Sequence, residues 1–331
     1  MINDFRLTNK PYLTSMFIPL LIRKMENCQF LISKKRIDQV YSFFSKETQK
    51  YIRKEYDFLF RDYNKRTETA IPFLKTDRVP VWTCWLTGIN SAPELIRAVV
   101  HNQKSVLEGG QFDYRILTLD NYDQYVSLPG KIIDRFNAGI IEPAFFSDIL
   151  RCATLHQNGG IWLDSTVLLS KSIPLEILSH PFYYAKGVRL AKKDMSTMPQ
   201  TSKFATYFLA CQKGSLFLQY LYEVLLEYWC RNDFCIEYLI FNDMAIVGLS
   251  YIELFQQENI LIPNNNTGCE ILQHMLSKDF VSNGKQLDEF TYIHKLARKA
   301  YYDDLSISLI KKYCYNLLSF DEMVARIVAR Y

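Results

Sequence analysis

At 331 residues, with 49% hydrophobic and 22% charged positions, the chain can bury one large core or two modest ones, which excludes a disordered polypeptide. Its net charge of +4 is mild and nothing in it resembles a nucleic-acid module, but residues 1–75 carry 15 Lys+Arg against 8 Asp+Glu. Eight cysteines form no CxxC and no Cys/His spacing suited to zinc, so reduced thiols and a cytoplasmic protein are expected.

Residues 1–77 read as a helical, aromatic and basic extension, with apolar faces at Tyr41–Phe44 and Glu55–Phe60. Phe17–Ile22 is apolar, yet Arg23 and Lys24 end it far short of a signal or a membrane span. The basic charge suits peripheral contact with an anionic membrane face, and it equally suits a solvated helical surface. Pro72 and Pro80 mark the boundary with the next domain.

Val81–Leu86 is a first strand, closed by Thr87-Gly88, and Pro93 opens a helix running to Leu107. Tyr114–Leu119 is a second strand, with Asp120-Asn121 as a turn at its carboxyl end. Lys131–Phe136 forms a short helix before the central unit, FFSDILRCATLHQNGGIWLDST, from Phe145 to Thr166. In that unit Pro143 suits the first helical turn, and Phe146, Ile149, Leu150 and Ala153 recur at helical spacing. Asp148 and Arg151 share one face. Asn158, Gly159 and Gly160 stop the helix and allow a tight reversal. Ile161–Leu163 is then a short buried strand that delivers Asp164 to its carboxyl end, where open α/β sheets bind ligands.

Val167–Leu169, Ser172–Pro174, Phe182–Ala185 and Phe204–Cys211 read as further strands. Their alternation with helices predicts an α/β sheet rather than segregated layers. Leu216–Trp229 is an amphipathic helix whose Glu223 and Glu227, one turn apart, read as a charged outer face. Phe234–Gln257 holds one or two more helices, with Asp243 inside the segment FND. Residues 301–331 form a C-terminal helical segment.

The segments SD-x-x-R and GG-x-W-x-D, with VPVWTCWLTG and YIHKL on either side, resemble the capsular polysaccharide synthesis family of glycosyltransferases, relatives of glycosyltransferase family 32. The resemblance runs from Arg78 to Lys299 and assigns residues 78–300 to a GT-A-like, nucleotide-sugar-binding α/β sheet flanked by helices. It implies a retaining transferase that takes a nucleotide sugar, a UDP-sugar first of all, to a growing surface polysaccharide or lipid-linked oligosaccharide. Retention would proceed through the donor phosphate, without an enzymatic nucleophile. A toxin-like protein transferase and a non-catalytic glycan-binding or partner-binding scaffold are the alternatives.

By that resemblance Trp85 stacks on the base, Asp148 and Arg151 hold hydroxyls of the sugar or ribose, and Gly160 lies in the donor-binding motif. Asp243 supplies an acidic group near the sugar, and His294 and Lys295 meet the diphosphate. A divalent metal, Mn²⁺ or Mg²⁺, is held in such proteins by a DxD motif. Here the motif reads Asp164-Ser165-Thr166, with one carboxylate. Asp164 is the expected ligand, with the Thr166 hydroxyl and His294 as additional ones.

Overall fold

A computed structural model describes residues 34–67, 71, 78–188, 204–276, 287, 290–297 and 302–330. The apolar segment Phe17–Ile22, Cys28 and most of the Ile71–Pro80 boundary lie outside the described residues.

Two helices open the described chain: α1 (Lys34–Glu55) and α2 (Asp57–Tyr63). Ile52, Tyr56, Leu59, Phe60 and Tyr63 recur at helical spacing, and all five are buried in the main core. At roughly 1.5–3 kcal/mol for each large apolar side chain removed from water, this face is ample reason for the helices to dock.

The sheet begins with β1 (Val79–Cys84), followed by α3 (Glu94–Leu107), β2 (Phe112–Leu117), α4 (Gly130–Asn137), α5 (Pro143–Asn158) and β3 (Gly160–Leu163). Short strands β4 (Val167–Leu169) and β5 (Phe182–Ala185) come next, then β6 (Ala205–Cys211). The chain continues through α6 (Leu216–Arg231), α7 (Ile240–Tyr251), α8 (Glu253–Leu261) and α9 (Ile271–Met275). It closes with β7 (Ile293–Lys295), α10 (Asp304–Cys314) and α11 (Phe320–Val328).

Five strands form one mixed sheet in the order β2-β1-β3-β6-β5, flanked by helices, as the alternating pattern predicts. β1 runs parallel to both β2 and β3, while β6 runs antiparallel to β3 and β5. The register pairs Trp82 with Trp162 and Cys84 with Leu117, so the carboxyl ends of the three parallel strands emerge along one edge. All four residues of β3 are buried, which explains its continuous apolar run without alternation.

A two-stranded ribbon of β4 and β7 leaves that edge. The ribbon, α3 and the C-terminal helices share a second core built on Leu168, Leu272, Leu296, Ile310 and Met323. Ser172–Pro174, expected as strand, is instead irregular and leads into a short 3₁₀ turn at Leu175–Ser179. Pro174 has no N–H with which to extend a ladder.

Gly160 supplies one test of how tightly β1 and β3 must approach. It sits at φ +97°, and a Cβ there would lie 2.2 Å from the Pro80 carbonyl oxygen. Gly160→Ala is expected to cost about 3–5 kcal/mol through backbone strain and overpacking, read as a lowered urea midpoint. An unchanged midpoint would contradict this packing. Its place at the amino end of β3 puts Gly160 away from the strand tips and gives it a packing role, in contrast to the donor-binding role the resemblance implied.

Candidate active site

The carboxyl end of β3 delivers Asp164 as expected, and α5 brings Arg151 and Asp148 to meet it. Arg151 Nη2 donates to Asp164 Oδ1 at 2.9 Å, and Nη1 lies 3.0 Å from Asp148 Oδ1. Trp162, two residues before Asp164 and so on the same face of the strand, donates its Nε1–H to Asp164 Oδ1 at 2.9 Å. The guanidinium is also gripped between two aromatic faces, 5.1 Å from the Trp162 ring and 5.4 Å from that of Phe241. With 5% of its surface exposed, Arg151 is fixed in place, while 18% of the Asp148 and 27% of the Asp164 side chain reach solvent.

These contacts set the protonation states. Burial pushes the Asp148 carboxyl up to about 6, aided by the nearby Asp164 charge and opposed by Arg151. Arg151 itself is raised because the attraction of its two carboxylates outweighs the desolvation that opposes it.

Two adjacent amides of α3 position the turn that carries Asp164. Gln103 Nε2 donates to the carbonyls of Asp164 at 2.9 Å and Val167 at 2.7 Å. Asn102 bonds both backbone groups of Leu169, at 2.8 and 3.1 Å. Sequence reasoning missed this pair. The available signal was an Asn-Gln dipeptide inside an otherwise apolar helix, where buried amides demand partners. Phe241 was also missed, since nothing local marks it as a lid on Arg151.

Trp85 follows β1 at the same edge, partly exposed, with its ring packed on Ala92, Ile96 and Val100. Asp120 is exposed at the end of β2, where Asn121 closes the turn by accepting from the Thr118 N–H at 2.8 Å. Lys295, on β7 beside the Asp164 turn, donates from Nζ to Thr166 Oγ1 at 2.5 Å and to the Leu296 carbonyl at 2.9 Å. Burial lowers its pKa, while the Asp164 and Glu270 charges hold it up.

His294 takes a different course from its neighbour. Nε2 meets Ser170 Oγ at 2.9 Å, the ring stacks on Phe320, and burial pushes its pKa down to about 3. Alternation along β7 turns it to the opposite face from Lys295, into the C-terminal core. This placement does not bring His294 to the Asp164 cluster.

Asp243 also lies apart. Phe241 touches Arg151, and Asp243, about 200° further round α7, faces α1. There it accepts from Ser45 Oγ and Gln49 Nε2, both at 2.7 Å. Glu237 completes this buried pocket, and its pKa is driven well above the ordinary carboxylate range by burial and then by the neighbouring Asp243. The folded protein thus keeps a proton that the unfolded chain releases above about pH 4.5. This contribution to stability is full below that pH and declines as pH rises towards the folded value. Glu237→Gln, which keeps a donor without a titrating proton, is expected to flatten the dependence of the urea midpoint on pH between about 5 and 8. A slope identical to wild type would count against a protonated Glu237.

Glu227 lies on a partly exposed face, whereas Glu223, expected on the same outer face, is half-buried against α2, 3.8 Å from Arg66. Glu223 accepts from Gln219 at 2.9 Å, and Glu227 pairs with Arg231 one turn on.

The donor set does not suit a divalent cation. Asp164 is the one carboxylate at the strand tip, and its Oδ1 already accepts two hydrogen bonds. The Thr166 hydroxyl, expected as a second ligand, is held by the Lys295 ammonium. Among the described residues no three His, Cys, Asp or Glu side chains converge as a metal set. Nor, among them, is any helix long and apolar enough to cross a membrane.

One curated relative is the glycosyltransferase afumC of Aspergillus fumigatus, 25% identical over 183 residues that make up 50% of this chain. The match spans 44% of that relative, so the chain covers less than half the length of the curated protein it matches. A solved structure, the PaToxG glycosyltransferase, superposes over 66% of this chain and 89% of its own, at 13% identity and a TM-score of 0.33. The profile described as "Capsular polysaccharide synthesis protein" matches residues 28–315, and by that match over most of its length the chain belongs to the capsular polysaccharide synthesis family.

Proposed function

We propose that this protein is a glycosyltransferase that moves a sugar from a nucleotide-sugar donor, a UDP-sugar first of all, to a surface polysaccharide or lipid-linked oligosaccharide. The observation that carries the reading is the Asp148–Arg151–Asp164 cluster at the carboxyl edge of the sheet, two carboxylates bridged by one buried guanidinium. Family membership supports the same assignment.

Trp85 offers the base a ring face at the end of β1. Asp148 and Asp164 accept hydroxyl protons of the donor, and Arg151 holds both carboxylates in register. As the bond between the sugar C1 and the diphosphate oxygen breaks, its electron pair stays on the diphosphate. Positive charge grows at C1, and the Asp164 carboxylate stabilises it. The acceptor oxygen bonds to C1 from the same side, giving retention, and its proton passes to the departing phosphate oxygen. The basic charge of residues 1–75 supports a peripheral approach to membrane-borne acceptors at the inner face.

Asp148 supplies the test. It accepts hydroxyl protons only as a carboxylate, so kcat/KM for a nucleotide sugar should fall below about pH 6, following its raised pKa. In Asp148→Asn the activity should be lower and that acid limb absent. An unchanged limb in the variant would remove Asp148 from the site.

A further inference from the structure

We propose that the Lys295 ammonium, and not a divalent cation, neutralises the charge that gathers on the diphosphate leaving group at this site. The inference rests on the nucleotide-sugar reading above and specifies how its donor is held.

Three observations carry it. The first is the poor fit of the strand tip to a metal: one carboxylate, with one oxygen already shared by two donors, and a threonine hydroxyl already accepting from an ammonium. A dication placed at Asp164 and Thr166 would sit against Lys295, a like charge.

The second is the state of Lys295. Its three-donor ammonium meets two neutral oxygens, Thr166 Oγ1 and the Leu296 carbonyl. Among the described residues its direct contacts are those two oxygens and the Tyr207 ring, 5.7 Å away, with no carboxylate within ion-pair distance. With Asp164 and Glu270 acting on it only from beyond ion-pair distance, the ammonium keeps its third donor for an anionic ligand.

The third is rigidity. β7 pairs with β4 so that Lys295 lies opposite Val167, the Lys295 N–H donates to the Cys269 carbonyl at 2.7 Å, and the Leu296 N–H to Thr166 O at 2.9 Å. The ammonium is therefore fixed beside the turn that presents Asp164. Preorganised charge of this kind acts without reorganisation as the leaving group departs. The electron pair of the breaking C1–oxygen bond stays on the diphosphate, within the field of Lys295, while the acceptor proton neutralises it further.

Calorimetry on the full chain with the diphosphates UDP, GDP, CDP and dTDP, each in EDTA and in excess MnCl₂ or MgCl₂, separates the possibilities. The nucleotide that binds is expected to keep its Kd within about threefold when metal is chelated, and Lys295→Met to weaken it about 10- to 100-fold, the range for a charge-assisted contact. Affinity of Lys295→Met for the parent nucleoside, which lacks phosphate, should not change. Lys295→Arg, which keeps the charge, should retain binding, and together with the chelation arm it decides the matter if Lys295→Met fails to fold. Binding that collapses in EDTA, or that ignores Lys295→Met, overturns the inference while leaving the transferase reading standing. Folded protein that binds none of the nucleotides overturns both.

Discussion

Asp164→Asn is expected to reduce sugar transfer by about a hundred- to a thousandfold, the scale of removing one electrostatic contact to a transition state. The isosteric amide can still accept from Trp162 Nε1 and Arg151 Nη2 through its remaining oxygen, both 2.9 Å contacts in the wild-type site. What it lacks is the negative charge that the proposed reaction uses beside C1. The loss should therefore fall on kcat more than on KM, because charge at C1 develops only in the transition state. The main-chain anchors of Asp164, its N–H to the Tyr207 carbonyl and its carbonyl from Gln103, do not involve the side chain. Thermal unfolding should stay within a few degrees of wild type. Full activity in Asp164→Asn would remove Asp164 from the chemistry.

Arg151→Leu should be the most damaging substitution to the fold itself. It leaves two carboxylates facing each other where a buried guanidinium had bridged them, at contacts of 2.9 and 3.0 Å. Removing one partner of a buried ion pair typically costs about 3–5 kcal/mol. Two aromatic faces, Trp162 and Phe241, lose their cation as well. The destabilisation, read from urea unfolding at neutral pH, should shrink in an Asp148→Asn background, because one of the stranded charges is then gone. A coupling above about 1 kcal/mol between the two sites is the expected result of that double-mutant cycle. Additive effects would mean that Arg151 and Asp148 do not act as a pair.

Much of this site was legible because its parts are close in sequence. Asp148, Arg151, the double glycine and Asp164 lie on one helix-turn-strand unit, so 3.6-residue and two-residue periodicities sufficed to place them together. The strands of the sheet were legible for the same reason, being short apolar runs between turn residues. The order of β6 and β5 in the sheet, with β6 against β3, was not, since antiparallel pairing at a distance leaves no local mark.

The misplacements share one physical cause. His294 and Lys295 read as a unit, but neighbours on a strand point to opposite faces, and the histidine went into the C-terminal core against Phe320. The resemblance set Asp243 in a motif near the sugar, yet the helical rotation from Phe241 to Asp243 sends the carboxylate towards Ser45 and Gln49 on α1. A sequence motif records which residues are adjacent, and the secondary structure then decides which of them look the same way. Gly160 illustrates the complementary point: its place in the motif follows from the close approach of Pro80, a residue 80 positions earlier.

The central claim is that the Asp148–Arg151–Asp164 cluster forms a nucleotide-sugar site, and thermal unfolding with UDP-, GDP-, CMP- and dTDP-sugars tests it most directly. Ligand at about 100 times its Kd should stabilise the folded protein by about 2.7 kcal/mol, a shift of a few degrees. The account predicts such a shift for one nucleotide class, greatly diminished in Asp148→Ala/Asp164→Ala protein that remains folded. No shift with any of the four, or a shift that survives loss of both carboxylates, would contradict it.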